Sequence, residues 1–282
     1  MSAAQRADHN RQKKIAAVND LTGFVRCSLT VQIPIISKLR VQCCPVPTAI
    51  LSNHTGFDSF YADDYTDHLA AYTAEWKKLG LTFSGIATGY LGSERQFGMV
   101  RNFIRDFSDE KTVVIVDPVM GDGGRTYASY SDEMCEGMRH LTALADLITP
   151  NLTEACILTG RQYHEAPWHR EELEAMLHEL RAMGPEKIVI TGIPQGEFIA
   201  SICLDGDGAI GLTRQYRVGE QRCGTGDVFA SVIAADAVNG VNFAASVKKA
   251  SAFVKSCILN TIRLGIPSTD GVSFEEVLDR LH

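Results

Sequence analysis

The chain has 282 residues, of which 45% are hydrophobic and 22% charged, so it can bury a large core and lies near the upper size for one α/β domain. Its net charge of −7 excludes a broad basic surface for nucleic acid or for an anionic membrane. No apolar run is long enough to span a membrane and the first residues lack the apolar segment of a secretory signal, so we expect a cytoplasmic protein.

Along the chain, a polar and charged segment comes first, and we expect residues 1–14 to be a disordered tail before a single domain over residues 15–282. Short β-branched runs then alternate with longer segments of helical period, which predicts βα units around a mostly parallel sheet. The predicted strands cover residues 15–18, 41–45, 83–88, 112–117, 147–149 and 187–191. The predicted helices between them cover residues 27–38, 66–79, 94–107, 131–144 and 169–183.

This alternation ends after the last of these strands. Two alternating segments, residues 198–204 and 209–217, flank a turn rich in Asp and Gly, which predicts an antiparallel hairpin at the edge of the sheet. Only helices are predicted after the hairpin, over residues 227–239, 243–264 and 274–281. The predicted fold class is therefore a three-layer α/β/α domain with a mostly parallel central sheet and an antiparallel edge hairpin.

The strongest chemical signal is the segment Cys-Gly-Thr-Gly-Asp at residues 223–227, directly before a predicted helix. Its glycines let the backbone approach a ligand, and the helix directs free N–H groups and its positive dipole end at the same place. Gly224, Thr225 and Gly226 thus form a candidate anion hole, and Asp227 is placed to accept the proton of a hydroxyl that attacks a phosphoryl group held there. The alternative is a tight turn in which Asp227 only caps the helix.

A second set of polar residues follows two predicted strands. Asp117 and Asp122 come after the first, and Thr149, Asn151 and Glu154 come after the next. Ligands bind beyond the carboxyl ends of strands in open α/β sheets, and oxygen-rich groups in such a place suit Mg²⁺. Asn151 and Glu154 also have the spacing of a helix capping box, which needs no ligand, and the two roles are compatible.

Three segments together resemble the ribokinase-like superfamily of kinases: residues 117–122 (DPVMGD), 149–154 (TPNLTE) and 224–227 (GTGD). Residues 51–57 (LSNHTGF) and 84–93 (SGIATGYLGS) are similar to the segments that mark pyridoxal kinases. The similarity runs from about residue 15 to residue 264, and it is specific as a set. It implies a ribokinase-like fold and phosphoryl transfer from MgATP to the 5′-hydroxymethyl group of pyridoxal, pyridoxamine or pyridoxine, in the salvage of pyridoxal 5′-phosphate.

The same resemblance implies roles for single residues. Asp227 matches the catalytic base, and the backbone of residues 224–227 matches the anion hole. The residues that match the ATP site are Asn151, Thr191, Gly192, Gly224 and Thr225. The acids that match the surroundings of the magnesium are Asp122 and Glu154, and a site for a monovalent cation such as K⁺ is matched by Asp117, Thr149 and Thr191. Contacts to the pyridoxal ring are matched by Asn19, Thr48 and Tyr90, and the resemblance also implies a homodimer.

The chain departs from the family pattern in two places on the substrate side. Members commonly carry Ser-His where this chain has Asn19 and Asp20, which leaves the preference between aldehyde and amine substrates open. Val25 stands in a loop where a smaller residue is expected.

Two other functions stay open beside a kinase for B6 vitamers. A related kinase acting on hydroxymethylpyrimidine or a sugar would share every motif on the ATP side, so only the substrate-side residues discriminate. A non-catalytic nucleotide-binding protein on the same scaffold would keep the glycine-rich segment without needing Asp227. NAD binding is excluded, because the G-x-G-x-x-G sequence at residues 206–211 is followed by a strand pattern and not by a helix.

Overall fold

The structure is a computed structural model that describes residues 8–282. Residues 1–7 of the predicted tail lie outside the described residues. The described part of that segment is exposed, yet the Asn10 side chain donates to the carbonyl of Gly80 at 2.9 Å and accepts from the N–H of Thr82 at 2.9 Å. Residues 8–13 therefore run along the surface of the molecule before the first strand.

The elements of residues 8–282 follow in this order: β1 (Lys14–Thr22), α1 (Leu29–Lys38), β2 (Gln42–Leu51), β3 (Ala62–Asp64), α2 (Thr66–Leu79), β4 (Gly85–Thr88), α3 (Glu94–Phe107), β5 (Val113–Val116), β6 (Gly121–Asp122), β7 (Arg125–Thr126), α4 (Asp132–Thr142), β8 (Leu147–Ile148), α5 (Leu152–Thr159), α6 (Arg170–Ala182), β9 (Lys187–Gln195), β10 (Phe198–Leu204), β11 (Ile210–Tyr216), α7 (Thr225–Asn239) and α8 (Phe243–Arg263). Two 3₁₀ helices, Ser268–Asp270 and Glu275–Arg280, come last.

One sheet of nine strands organises the described residues, in the order β11-β10-β9-β8-β5-β4-β1-β2-β3. The strands from β9 to β2 in that order run parallel. β10 and β11 add an antiparallel hairpin at one edge, and β3 pairs antiparallel with β2 at the other. The predicted parallel sheet with an edge hairpin is confirmed.

Two hydrophobic cores lie on opposite faces of this sheet. Helices α2 to α6 cover one face, where Met138 is fully buried, and α1, α7 and α8 cover the other, where Val232 is fully buried. Ile15 and Ala16, neighbours in β1, belong to opposite cores because side chains alternate along a strand. The three-layer α/β/α fold predicted from the sequence is therefore confirmed.

Several boundaries differ from the prediction. β2 continues past Pro45 and Pro47 to Leu51. Proline is tolerated at these two positions because this part of β2 pairs only with β1, which leaves its other edge open. α5 was not predicted because it is buried on nearly every face and shows no amphipathic period. The last predicted helix, over residues 274–281, is a 3₁₀ helix.

The topology creates a crevice at one end of the sheet. β1 is followed by β2 on one side, whereas β4, which comes later, lies on its other side. Such a reversal between neighbouring parallel strands opens a ligand crevice beyond their carboxyl ends. The predicted site residues of β1, β4, β5, β8 and β9 all lie at those ends. Among residues 8–282, no helix is both long and apolar enough to cross a membrane.

Candidate active site

The first turn of α7 contains the residues of the predicted anion hole. Gly224 precedes the helix with φ 78°, and a Cβ atom at this position would lie 2.0 Å from the carbonyl oxygen of Arg26. The first N–H groups of a helix have no partner within it, so those of Thr225, Gly226 and Asp227 are available to an anion. At Gly226 an added Cβ would meet nothing within 4 Å, so the space beside it is open to a ligand.

Replacing Gly224 by alanine should therefore damage the fold. The left-handed φ and the contact with Arg26 both oppose a side chain, and we expect the free energy of unfolding to fall by about 2 kcal/mol or more. Denaturant unfolding monitored by circular dichroism measures this change. Gly240→Ala is the control for φ alone, since φ there is 76° but no atom lies within 4 Å of the added Cβ; equal losses at both positions would contradict the steric argument.

Asp227, in the same first turn, is half-buried between the anion hole and the end of β1. The amide of Asn19 donates to its carboxylate at 3.4 Å. Burial raises the pKa of Asp227 to about 7, the negative charge of Asp20 raises it further, and hydrogen bonding lowers it. A carboxyl with a pKa near neutrality is suited to accept a proton at physiological pH.

The three predicted ring contacts, Asn19, Thr48 and Tyr90, converge at the ends of β1, β2 and β4. The Asn19 carbonyl oxygen accepts from the N–H of Tyr90 at 2.8 Å, and the Thr48 hydroxyl donates to the carbonyl of Tyr90 at 2.8 Å. Asn19 and Thr48 are buried, whereas Tyr90 is half-buried. The close approach of the Tyr90 backbone to Asn19 requires glycine at position 89, because a Cβ there would lie 2.6 Å from the Asn19 amide. The buried pair thus shapes the backbone that carries Tyr90.

The predicted cation-site residues lie beyond β5 and β8. The Thr149 hydroxyl donates to the Asp117 carboxylate at 2.8 Å, and burial, aided by the charge of Asp227, raises the pKa of Asp117 to about 7. Glu154 is buried and accepts from the N–H groups of Met120 at 3.2 Å and Asn151 at 2.8 Å. Burial nonetheless raises its pKa well above its usual range, and the charge of Asp117 adds to this.

Asn151 and Glu154 form the capping box that their spacing predicts. The Asn151 side chain accepts from the N–H of Glu154 at 2.9 Å and donates to the carbonyl of Gly121 at 2.8 Å. The capping role is therefore confirmed, and the role of Asn151 at ATP stays a prediction. Thr191 is half-buried, and its N–H donates to the carbonyl of Pro150 at 2.9 Å. Gly192 follows it with a left-handed φ of 70°.

Asp122 lies apart from the other acids, on the small hairpin of β6 and β7. It is exposed, accepts from the N–H of Gly123 at 2.7 Å, and is contacted by the side chain of Gln221 from the loop before α7. This contact joins the two sides of the crevice near the anion hole. The hairpin was not predicted, because its strands have two residues each and are mostly exposed.

A cation fits the acids of this crevice. Within residues 8–282, no Lys, Arg or His side chain forms an ion pair with Asp117, Asp122 or Glu154. Burial raises the pKa values of Asp117 and Glu154, and neighbouring negative charges raise them further. No group of three His, Cys, Asp or Glu side chains in the described part could hold a metal ion by itself. This donor set suits Mg²⁺ bound mainly through phosphate oxygens and water.

Sequence reasoning did not identify the loop between β1 and α1, in which Val25 and Ser28 have positive φ. Neither residue type gives a sequence signal for this backbone conformation. His54, which could have been a substrate contact, bonds the carbonyl of Thr269 at 2.8 Å and accepts from the N–H of Gly56 at 3.0 Å, so it joins two loops. Cys27 and Cys223, which lie before α1 and α7, are both free cysteines.

Comparison with known families agrees with this geometry. The profile of the phosphomethylpyrimidine kinase family matches residues 33–271, that is, from α1 to the end of the first 3₁₀ helix after α8. The chain belongs to this family of kinases. Its membership confirms the resemblance drawn from the segments around Asp117, Thr149 and Gly224.

Individual relatives show which kinases this chain is similar to. The chain is 39% identical to a Bacteroides thetaiotaomicron protein described as a phosphomethylpyrimidine kinase, with a TM-score of 0.94 over 98% of this chain and 96% of the other. A second crystal form of that protein contains pyridoxal; there the identity is 40% and the TM-score 0.89, over 96% of each chain. The pyridoxal kinase of Sus scrofa is 30% identical over 220 residues, 71% of this chain and 67% of the relative.

A more distant structure shares the fold of this chain. Pyridoxal kinase from Leishmania donovani in complex with ADP is 20% identical, with a TM-score of 0.86 over 95% of each chain.

Proposed function

We propose that this protein is an ATP-dependent pyridoxal kinase that phosphorylates the 5′-hydroxymethyl group of B6 vitamers. The observation that carries the proposal is the position of Asp227. Its carboxylate lies in the first turn of α7, beside free N–H groups, and accepts from Asn19 at the end of β1. The base thus lies between the proposed anion hole and the proposed ring contact Asn19, and a 40%-identical relative whose crystal form contains pyridoxal supports a B6 vitamer as the substrate.

In the proposed reaction the 5′-hydroxyl lies between Asp227 and the γ-phosphate of ATP. Asp227 accepts the hydroxyl proton while the oxygen forms a bond to phosphorus and the bond from phosphorus to the ADP oxygen breaks. The N–H groups of the first turn of α7 stabilise the charge that develops on the phosphoryl oxygens. Asn19 orients the carboxylate during the transfer, because it bonds Asp227 from a buried and fixed position.

Residues Asp122 and Glu154 would hold Mg²⁺ through water or directly, and Asp117 with Thr149 and Thr191 would hold a monovalent cation. A magnesium ion supplies charge neutralisation for the phosphate oxygens. The support for these roles is that Asp117, Asp122 and Glu154 form no ion pair with a cationic side chain in the described residues. Assembly as a homodimer and a cytoplasmic location belong to the same proposal, and both rest on the sequence alone.

The proposal predicts ADP release by the purified protein with MgATP and B6 vitamers. Pyridoxal, pyridoxamine, pyridoxine, hydroxymethylpyrimidine and ribose are supplied in parallel, and ADP is measured by a coupled assay. We expect turnover on the B6 vitamers at least about tenfold above that on the other two acceptors, a discrimination of the size that pocket contacts supply. Turnover on hydroxymethylpyrimidine or ribose alone would refute the substrate assignment, and no turnover on any acceptor would favour the nucleotide-binding alternative.

A further inference from the structure

Gln96, in the first turn of α3, is a fully buried glutamine, with 0% of its surface exposed. Glutamine is mostly found at protein surfaces, because burying an amide costs free energy unless its polar atoms keep hydrogen-bond partners. Gln96 is not among the proposed contacts of substrate, ATP or cation, and its burial separates it from a ligand in the crevice. Its hydrogen bonds therefore show what this amide does.

The two ends of the Gln96 amide bond groups of opposite character. Its oxygen accepts from the N–H of Gly92 at 2.8 Å. Its nitrogen donates to the carbonyl of Thr48 at 2.7 Å, to the hydroxyl of Thr66 at 2.8 Å and to the carboxylate of Asp64 at 3.0 Å. One end thus meets a donor and the other meets acceptors, which fits an amide and neither a carboxylate nor an apolar side chain of the same size.

Three hydrogen bonds join the loop after β4 to β2 in a closed path. The Thr48 hydroxyl donates to the carbonyl of Tyr90 at 2.8 Å, while the Thr48 carbonyl accepts from Gln96. Gln96 in turn accepts from the N–H of Gly92, which follows Tyr90 by two residues. The loop is therefore fixed on both sides of Leu91. Thr48 and Tyr90 are two of the three proposed contacts to the vitamer ring.

We infer that Gln96 is a positioning residue for the vitamer site: its amide ties Gly92 to Thr48 and so holds Tyr90 in the place where it would contact the ring. The inference rests on the proposed function. Holding these groups in place before the vitamer arrives lowers the cost of ordering them when it binds. Gln96 acts through Thr48 and Tyr90, since it is itself fully buried.

The bonds of Gln96 lie on the substrate side of the crevice. They reach β2, the segment from β3 to α2 and the loop after β4. The proposed anion hole lies at the start of α7 instead, and the proposed cation residues Asp117 and Thr149 follow β5 and β8. Losing the Gln96 amide should therefore weaken vitamer binding and leave ATP binding unchanged, whereas a purely structural role would weaken both or neither.

The test compares the steady-state kinetics of wild type, Gln96→Glu and Gln96→Met. Glutamate keeps an oxygen for the N–H of Gly92 but turns a second oxygen toward the acceptors Thr48 and Asp64, and methionine keeps only the length of the side chain. In both variants we expect KM for pyridoxal to rise by about tenfold, the size of one or two lost hydrogen bonds. We expect kcat to stay within about threefold of wild type and KM for ATP within about twofold. Calorimetric titration with pyridoxal in the absence of ATP should show the same loss of affinity.

Thr66→Val is the matched control for these variants. It removes one acceptor of the Gln96 nitrogen, but the carbonyl of Thr48 and the carboxylate of Asp64 remain for the amide N–H groups. KM for pyridoxal should therefore stay within about twofold of wild type. Thermal unfolding shows whether each variant keeps the fold, and if Gln96→Glu does not fold, Gln96→Met decides.

A wild-type KM for pyridoxal in a folded Gln96 variant overturns the inference, and so does an equal rise of KM for pyridoxal and KM for ATP. Wild-type turnover on pyridoxal tests the proposed function separately and is measured first. If it is absent while another acceptor reacts, the substrate proposal fails, and the comparison of the Gln96 variants is made with that acceptor.

Discussion

Asp227→Asn should lower kcat by about 10² to 10⁴-fold while leaving the fold intact, since loss of a general base costs this much. Asparagine keeps the shape of the side chain and the oxygen that accepts from Asn19, but it cannot take the proton of the attacking hydroxyl. Steady-state ADP release measures the loss, and circular dichroism checks the fold. A variant with near-normal turnover would show that another group is the base.

The same substitution should stabilise the protein at neutral and higher pH. The pKa of Asp227 is raised to about 7 in the folded protein, from about 4 in an unfolded chain. Between these values the unfolded chain loses the proton while the folded protein keeps it, so this group makes wild-type stability fall as pH rises through that window. Above the pKa of Asp227 in the folded protein this loss of stability no longer grows with pH, and Asp227→Asn removes it.

Unfolding curves at pH 5 and pH 8 test this sign. We expect the variant to exceed wild type by more at pH 8 than at pH 5. Asp236→Asn, on the same helix, is the matched control: Asp236 is buried and pairs with Lys249 at 2.6 Å, so its loss leaves a cation without its partner and should destabilise the protein at both pH values. A stability gain for Asp227→Asn that is equal at the two pH values would contradict a raised pKa.

The sheet and the order of the helices along the chain could be predicted because β-branched runs and amphipathic periods are strong local signals. β3 could not, because its three residues are exposed and include two aspartates, which have low β propensity. α5 lacks a polar face, so its residues give no helical period even though its capping box was recognised. The elements that could not be predicted are those whose formation depends on tertiary contacts.

The candidate site shows the same division. Gly224, Asp227 and Asp117 could be identified because each follows from a local pattern at a strand end or helix start. The positive φ of 53° at Ser28 could not, since serine gives no sequence signal for this conformation. Asn19 and Thr48 were identified only by resemblance, and the structure places both in buried positions behind Tyr90.

Gly226→Ala should abolish most of the activity without any cost in stability. An added Cβ meets no protein atom within 4 Å, so the methyl group extends into the space proposed for the phosphates. We expect kcat/KM for ATP to fall by about 10²-fold, as when one donor of a preorganised anion hole is lost. Because alanine favours the helix over glycine, the free energy of unfolding should stay equal or rise by up to about 1 kcal/mol.

The control for this prediction lies in α3. Gly98 is also a helical glycine with nothing within 4 Å of an added Cβ, but it lies in α3, on the opposite face of the sheet from α7. Gly98→Ala should therefore give the same direction of stability change with unchanged kcat/KM. The pair separates the two uses of glycine in this fold: at Gly224 the side chain is excluded by the protein itself, whereas at Gly226 it is excluded only by the proposed ligand. Full activity in Gly226→Ala would place the phosphates elsewhere in the crevice.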